Sequence, residues 1–175
     1  MRRRTRLIAV LVCAAPLTFG GCAPDGAAPP PTELGVSLEL AALRAATITE
    51  VGYELALVVP EAVDAPLQGS NTLTFEWHDP EARDVVIDFK DPAERVSEVQ
   101  VNGAAVAWEP RNDHMVIPAE ALEPGARNRV RIDFAAGDEA LNRSDDFLYT
   151  LFVPDRAHFS LPLFDQPDVK ARVQL

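Results

Sequence analysis

From Ile48 to Phe134 the apolar residues recur with a period of two. Val51, Tyr53, Leu55, Leu57 and Val59 fall on one face, with Gly52, Glu54, Ala56 and Val58 on the other, which is the pattern of a half-buried strand. After a turn expected near Pro66–Ser70, Leu73, Phe75 and Trp77 repeat the pattern against Thr72, Thr74 and Glu76. Val85, Ile87 and Phe89 then alternate with Asp84, Val86 and Asp88, up to a break at Lys90-Asp91-Pro92. Asn102-Gly103, between Val99-Gln100-Val101 and Val106-Ala107-Trp108, predicts a hairpin, because Asn-Gly accepts the positive φ angles of a type I′ turn. Met115-Val116-Ile117 is a short strand, and Pro118 to Leu122 predicts one helical turn with proline at its first position. Val130, Ile132 and Phe134 alternate with Arg129, Arg131 and Asp133 as a further strand. Short alternating runs at this spacing predict an all-β domain, an antiparallel β-sandwich or saddle-like sheet. Ahead of them, Leu38 to Ala46 has a helical cast of one or two turns, or serves as the lead-in to the first strand.

The start of the chain adds a targeting device. Arg2, Arg3, Arg4 and Arg6 precede an apolar run, Leu7 to Leu17, that is too short for a stable membrane anchor. It ends in Leu17-Thr18-Phe19-Gly20-Gly21-Cys22. Small residues before a cysteine resemble the bacterial lipoprotein signal, in which residues 1–21 are removed and Cys22 is lipidated. The alternative is an ordinary cleaved signal with an incidental Cys22. Residues 22–37, rich in Pro, Ala and Gly without an apolar period, read as a flexible tether. That leaves 38–175 as the folded domain, exported and lipid-anchored to the bacterial cell envelope, with the membrane as a partner through Cys22. Of the two cysteines, Cys13 leaves with the leader, so the domain has no thiol for a disulfide or a nucleophile.

Charge narrows the partners. The chain carries 16 basic and 27 acidic groups, and without the four arginines of the leader the balance is −15. Such a field repels phosphate backbones, so nucleic acid is not an expected partner.

Local chemistry is sparse. His78 follows a strand beside Asp79-Pro80 and His114 follows Asn112-Asp113, and both read as turn or loop residues. His158 lies in a proline-rich stretch, where packing or hydrogen bonding is the expected role. The sequence has no His-Glu-x-x-His, Gly-x-Ser-x-Gly, phosphate loop or dinucleotide fingerprint. Residues 135–147 read as a polar loop. Its acids, Asp138, Glu139, Asp145 and Asp146, lack the alternating ligand spacing of a calcium loop and are expected to be solvated. Trp77 and Trp108 fall at core-like positions of the alternation.

The most unusual stretch is Tyr149 to Ala171, YTLFVPDRAHFSLPLFDQPDVKA. Its prolines 154, 162 and 167 cannot sit in a helix interior or a central strand, so it must form a specifically shaped corner with Leu161, Leu163 and Phe164 packed. Together with the strands before it, this stretch resembles the N-terminal β-domain of the aminopeptidase N family of zinc metallopeptidases, over about Ala45 to Leu175. Thr150, Phe152 and Pro154 match a Thr-x-Phe-x-Pro element. Leu161-Pro162-Leu163-Phe164-Asp165-Gln166-Pro167 matches the family's Phe-Pro-Cys-Phe-Asp-Glu/Gln-Pro corner, and Lys170-Ala171 matches the Lys-Ala pair that leads into its next strand. Arg44-Ala45, Ile48, Tyr53, Leu55, Leu57, Leu67-x-Gly69, Thr72 to Phe75, Val86 to Phe89, Val101 to Gly103, Ile117-Pro118, Leu122 and Gly125-x-x-Asn128 fall in the family's order.

The chain departs from the family at two positions. The family often places Gln after the Thr, lining the pocket for the substrate's first residue, and Leu151 stands there. The corner's Cys is Leu163, a change that keeps apolar packing. The family's zinc ligands, general base and Gly-x-Met-Glu-Asn strand belong to a following catalytic domain, which this sequence does not reach. The resemblance therefore implies a non-catalytic domain of a truncated or split chain, holding no cofactor itself, whose partner is the missing catalytic domain or a partner chain. Phe152, Pro154, Pro162, Phe164, Asp165 and Pro167 would form the docking corner and help wall the substrate cleft, with an exposed apolar face near Phe152 to Phe164. The alternative is a stand-alone, membrane-tethered binding or scaffold module without peptidase activity.

Overall fold

The computed structural model describes residues 27–144 and 146–175; the leader 1–21, the lipidation candidate Cys22 and Asp145 lie outside them. Among the described residues, one α-helix, α1 (Leu38–Thr47), opens the domain. Its residues are strong helix formers, and Ser37 caps it by accepting a hydrogen bond from the Leu40 N–H at 3.2 Å. Leu40, Arg44 and Thr47, spaced to share one face, are its buried residues. The helical reading holds, over ten residues and not one or two turns, and the strand begins only at Ile48.

Eleven strands follow. They are β1 (Ile48–Val58), β2 (Leu67–Trp77), β3 (Val85–Asp88), β4 (Val96–Val101), β5 (Ala104–Ala105), β6 (Glu109–Arg111), β7 (His114–Ile117), β8 (Arg127–Ala136), β9 (Leu141–Arg143), β10 (Leu148–Thr150) and β11 (Ala171–Gln174). A six-stranded sheet has the order β11-β1-β2-β8-β4-β5, a three-stranded sheet β3-β7-β6, and β9 with β10 forms a separate ribbon. Every pairing is antiparallel except β1 with β11, which is parallel. The predicted all-β sandwich is the observed architecture, with that one parallel edge added. Tyr53, Leu73, Phe75, Trp77, Val130, Ile132 and Phe134 of the large sheet share one core with Val85, Ile87, Met115 and Ile117 of the small one. The outer face of β8 carries Arg127, Arg129, Arg131 and Asp133 in alternation with that core.

Several sequence expectations shift. The turn after β1 lies before Leu67, because Gly69 and Ser70 continue the strand. A Cβ on Gly69 would stand 2.5 Å from Cζ of Phe134, so this position needs glycine to let the ring pass. The Asn102-Gly103 hairpin forms, with φ of +50° and +87°, but its regular pairing stops at Ala105. Trp77 is buried, whereas Trp108 beyond that hairpin is only half-buried at the core's margin. Residues 135–147 are not a plain loop, since they contain β9 and the end of β8. Arg143 of β9 donates to the carbonyls of Pro60, Val63 and Ala65, at 2.7 to 3.1 Å, and fastens the β1–β2 connection.

The leading segment is not free along its whole described length. Pro30 is buried, and the Asn112 side-chain amide donates to the Thr32 carbonyl at 2.9 Å. Residues 30–36 therefore lie against the β6–β7 turn, where a freely extended spacer was expected.

Candidate functional site

The stretch from Phe147 to Ala171 divides into an exposed half and an anchored half. In the first, Phe147, Tyr149, Leu151 and Val153 are 62%, 52%, 47% and 75% exposed. Phe147 and Tyr149 stack with ring centroids 6.2 Å apart. β10 pairs only with β9, and its residues Leu148, Tyr149 and Thr150 are all exposed, whereas Leu141 of β9 is buried in the core. Pro154 is exposed and Phe152 half-buried against the core. The apolar face is thus real but lies earlier than expected, over 147–153, whereas the residues from Ala157 to Phe164 are mostly buried.

The anchored half is held by backbone groups pointing at side chains of the sandwich. The Asp88 N–H donates to the Leu163 carbonyl at 2.9 Å, and the Leu163 N–H donates back at 3.1 Å. The Asn71 amide, on the inner face of β2, donates to the Pro162 carbonyl at 2.8 Å. The Phe164 N–H donates to the Tyr53 hydroxyl at 3.1 Å, and burial pushes the Tyr53 phenol well above its ordinary range. Gln166 donates to the Ala41 carbonyl of α1 at 3.0 Å. Phe164 packs edge-on against Phe75 with centroids 5.5 Å apart, and Arg44 lies 5.3 Å above its ring. Leu161 and Pro162 are buried, Leu163 and Asp165 half-buried and Pro167 exposed, so the corner residues do not form one continuous surface.

At the centre of these anchors is Asp88, 1% exposed. Alternation along the sequence would turn it outward, but all four residues of β3 are buried, so its carboxylate is enclosed. It accepts four hydrogen bonds. Oδ1 receives Nη2 of Arg44 at 2.6 Å and Nδ1 of His114 at 2.8 Å; Oδ2 receives Nη1 of Arg44 at 2.8 Å and the Asp165 N–H at 2.8 Å. Burial pushes this carboxyl up, but the Arg44 charge and the donors from His114, Arg44 and Asp165 outweigh it and hold Asp88 at about 2. His114 is not a loop residue: it opens β7 and is buried. Burial alone would lower its pKa, yet the Asp88 carboxylate and the Glu33 carbonyl raise it.

Both shifts bear on stability. The depressed Asp88 stabilises the fold above the ordinary carboxylate range, about pH 4, and the gain is lost as pH falls toward 2. The raised His114 stabilises the fold below about pH 6.5, and the gain is lost as pH rises through its higher folded value. Asp79, lowered chiefly by its bond to Arg83, adds to the acid-side loss, while Asp91, raised by burial, opposes it. Urea midpoints are therefore expected to be highest between about pH 4 and about pH 6.5 and to fall on both sides.

His158 is buried in a single turn of 3-10 helix, Ala157–Phe159, with Nδ1 2.7 Å from Oδ2 of Asp165. His78 is exposed, 3.3 Å from Oε2 of Glu76. Among the described residues no group of three His, Cys, Asp or Glu side chains is arranged to hold a metal ion.

No protein-family model and no curated protein matches the chain. Solved structures do. The crystal structure of M1 zinc metallopeptidase from Deinococcus radiodurans is 26% identical, with a TM-score of 0.62 over 73% of this chain and 31% of that one. A mutant of that enzyme bound to a Tyr-Ser-Ala substrate is 27% identical over the same shares, with a TM-score of 0.63. Yeast LTA4 hydrolase in complex with bestatin, at 19% identity and a TM-score of 0.62 over 74% of this chain and 22% of that one, shares the fold. The chain spans about a third of the length of the Deinococcus radiodurans peptidase.

Proposed function

With this domain an N-terminal domain of the aminopeptidase N-like zinc metallopeptidases, we propose that its role is to dock a catalytic domain and wall one side of its substrate cleft. On this reading the chain performs no bond cleavage of its own. The observation that carries the reading is the exposed apolar ribbon, Phe147, Tyr149, Leu151 and Val153, held next to a corner that is tied down from four directions. Contiguous exposed apolar side chains of this kind mark contact surfaces. The buried half supports the reading too, because it gives the ribbon a rigid base. Leu151, where a pocket-lining Gln would be expected, makes this wall apolar at the point nearest a substrate. The same proposal has the chain exported and held at the cell envelope by a lipid on Cys22.

A surface built for contact and left bare binds hydrophobic dyes and itself. The chain is expected to bind such a dye and to self-associate as concentration rises. The variant carrying Tyr149→Ser, Leu151→Asp and Val153→Asp is expected to lose both while keeping its urea midpoint, since all three side chains are exposed. A monodisperse chain that binds no dye, before any substitution, would contradict the docking role.

A further inference from the structure

We propose that His114, as its imidazolium, latches residues 32–35 onto the β6–β7 turn, and that loss of one proton releases this strap while the Asp88–Arg44 pair stays closed. The geometry is specific. Nε2 of His114 lies 2.9 Å from the Glu33 carbonyl and 3.2 Å from the Gly35 carbonyl. Gly35 has a φ of +76°, a conformation glycine adopts freely. Nδ1 of the same ring lies 2.8 Å from Oδ1 of Asp88. Each of these three atoms is an acceptor, so only the doubly protonated ring donates on both sides.

A neutral ring keeps one N–H and must choose. A hydrogen bond to an ionised acceptor is roughly twice as strong as one between neutral groups, so the remaining proton stays on Nδ1, facing the carboxylate. The Nε2 lone pair then meets two carbonyl oxygens, and the strap is repelled where it had been held. The charged groups around the ring fix which one titrates. Arg44 from α1 and Asp88 from β3 are paired to each other. Asp165 from the corner presents its N–H to Asp88, not its carboxylate. Glu33 offers its carbonyl while its side chain is exposed. In the β6–β7 hairpin, Arg111 pairs with Glu109, and the Asp113 carbonyl accepts from Phe89. Asp88 stays ionised through the neutral range under its four donors, leaving His114 as the group that changes. Freed at Glu33 and Gly35, the strap lengthens the leading segment by on the order of 10 Å, while Asn112 still holds the Thr32 carbonyl.

The test is ¹⁵N NMR on the full chain across about pH 5 to about pH 9. Imidazole nitrogen shifts report the state of His114, and heteronuclear NOEs of Leu34, Gly35 and Val36 report the order of the strap. The expected result is a loss of strap order with the midpoint of His114, while the Asp165 amide and α1 stay unchanged. By linkage, deleting residues 27–36 lowers the His114 midpoint. His114→Gln, which cannot serve both sides, is expected to leave the strap loose at every pH, and if it fails to fold the wild-type chain and the deletion decide. Strap order that survives the loss of the proton overturns the latch. So does a strap that loosens with no change at His114, or a His114 that never titrates in this range.

Discussion

Asp88→Ala is expected to destabilise the domain by about 3–5 kcal/mol, the cost of stripping one partner from a buried charge cluster. Three groups lose their acceptor together: the Arg44 guanidinium, the His114 ring and the Asp165 N–H. Arg44 is itself 1% exposed, so its charge has no water to turn to. Against a total stability of about 5–15 kcal/mol, the loss is a large fraction of what holds a domain of this kind. Asp88→Asn is not expected to rescue it. All four contacts on the carboxylate are donors, so an amide nitrogen in either oxygen position would face another donor. Urea denaturation near neutral pH measures both variants, with far-ultraviolet circular dichroism as the signal. An Asp88→Ala midpoint within error of the wild type would mean that the cluster is not what ties helix, small sheet and corner together.

The second large effect separates the two halves of the corner. Phe164→Ala removes a ring that is 3% exposed and packed on Phe75 and beneath Arg44, and is expected to cost about 3–5 kcal/mol. Leu151→Ala, in the ribbon and 47% exposed, is expected to change stability by no more than about 0.5 kcal/mol. The contrast tests the division between an anchored base and a free contact surface. Equal losses at the two positions would mean that the ribbon is part of the core.

The sandwich is legible in the sequence because its strands are one-sided. Where one face meets the core and the other meets water, as in β1, β2 and β8, the period of two appears directly in the residues. β3 and β7 have both faces buried, so alternation there carries no information and turns Asp88 the wrong way. His114 reads as a loop residue for a related reason: the preceding Asn112 and Asp113 are a two-residue turn with φ of +46° and +65°, and a tight hairpin looks like a loop in sequence. One signal is available. Arg44 stands between Leu40 and Thr47 on the inward stripe of a helix, and a cation there needs an acid from elsewhere in the chain. The corner's residues stand out through the family resemblance, but the split into buried and exposed halves depends on which backbone groups meet Asn71, Tyr53 and Asp88, contacts that span 77 to 111 positions of sequence and leave no local pattern.

We propose that this chain provides a contact surface and leaves the chemistry to a catalytic domain. This proposal is tested most directly by metal analysis of the purified chain together with an assay for release of N-terminal residues from aminoacyl arylamides. The expected result is no stoichiometric zinc and no release above the blank. Stoichiometric zinc with turnover that a chelator abolishes would contradict it.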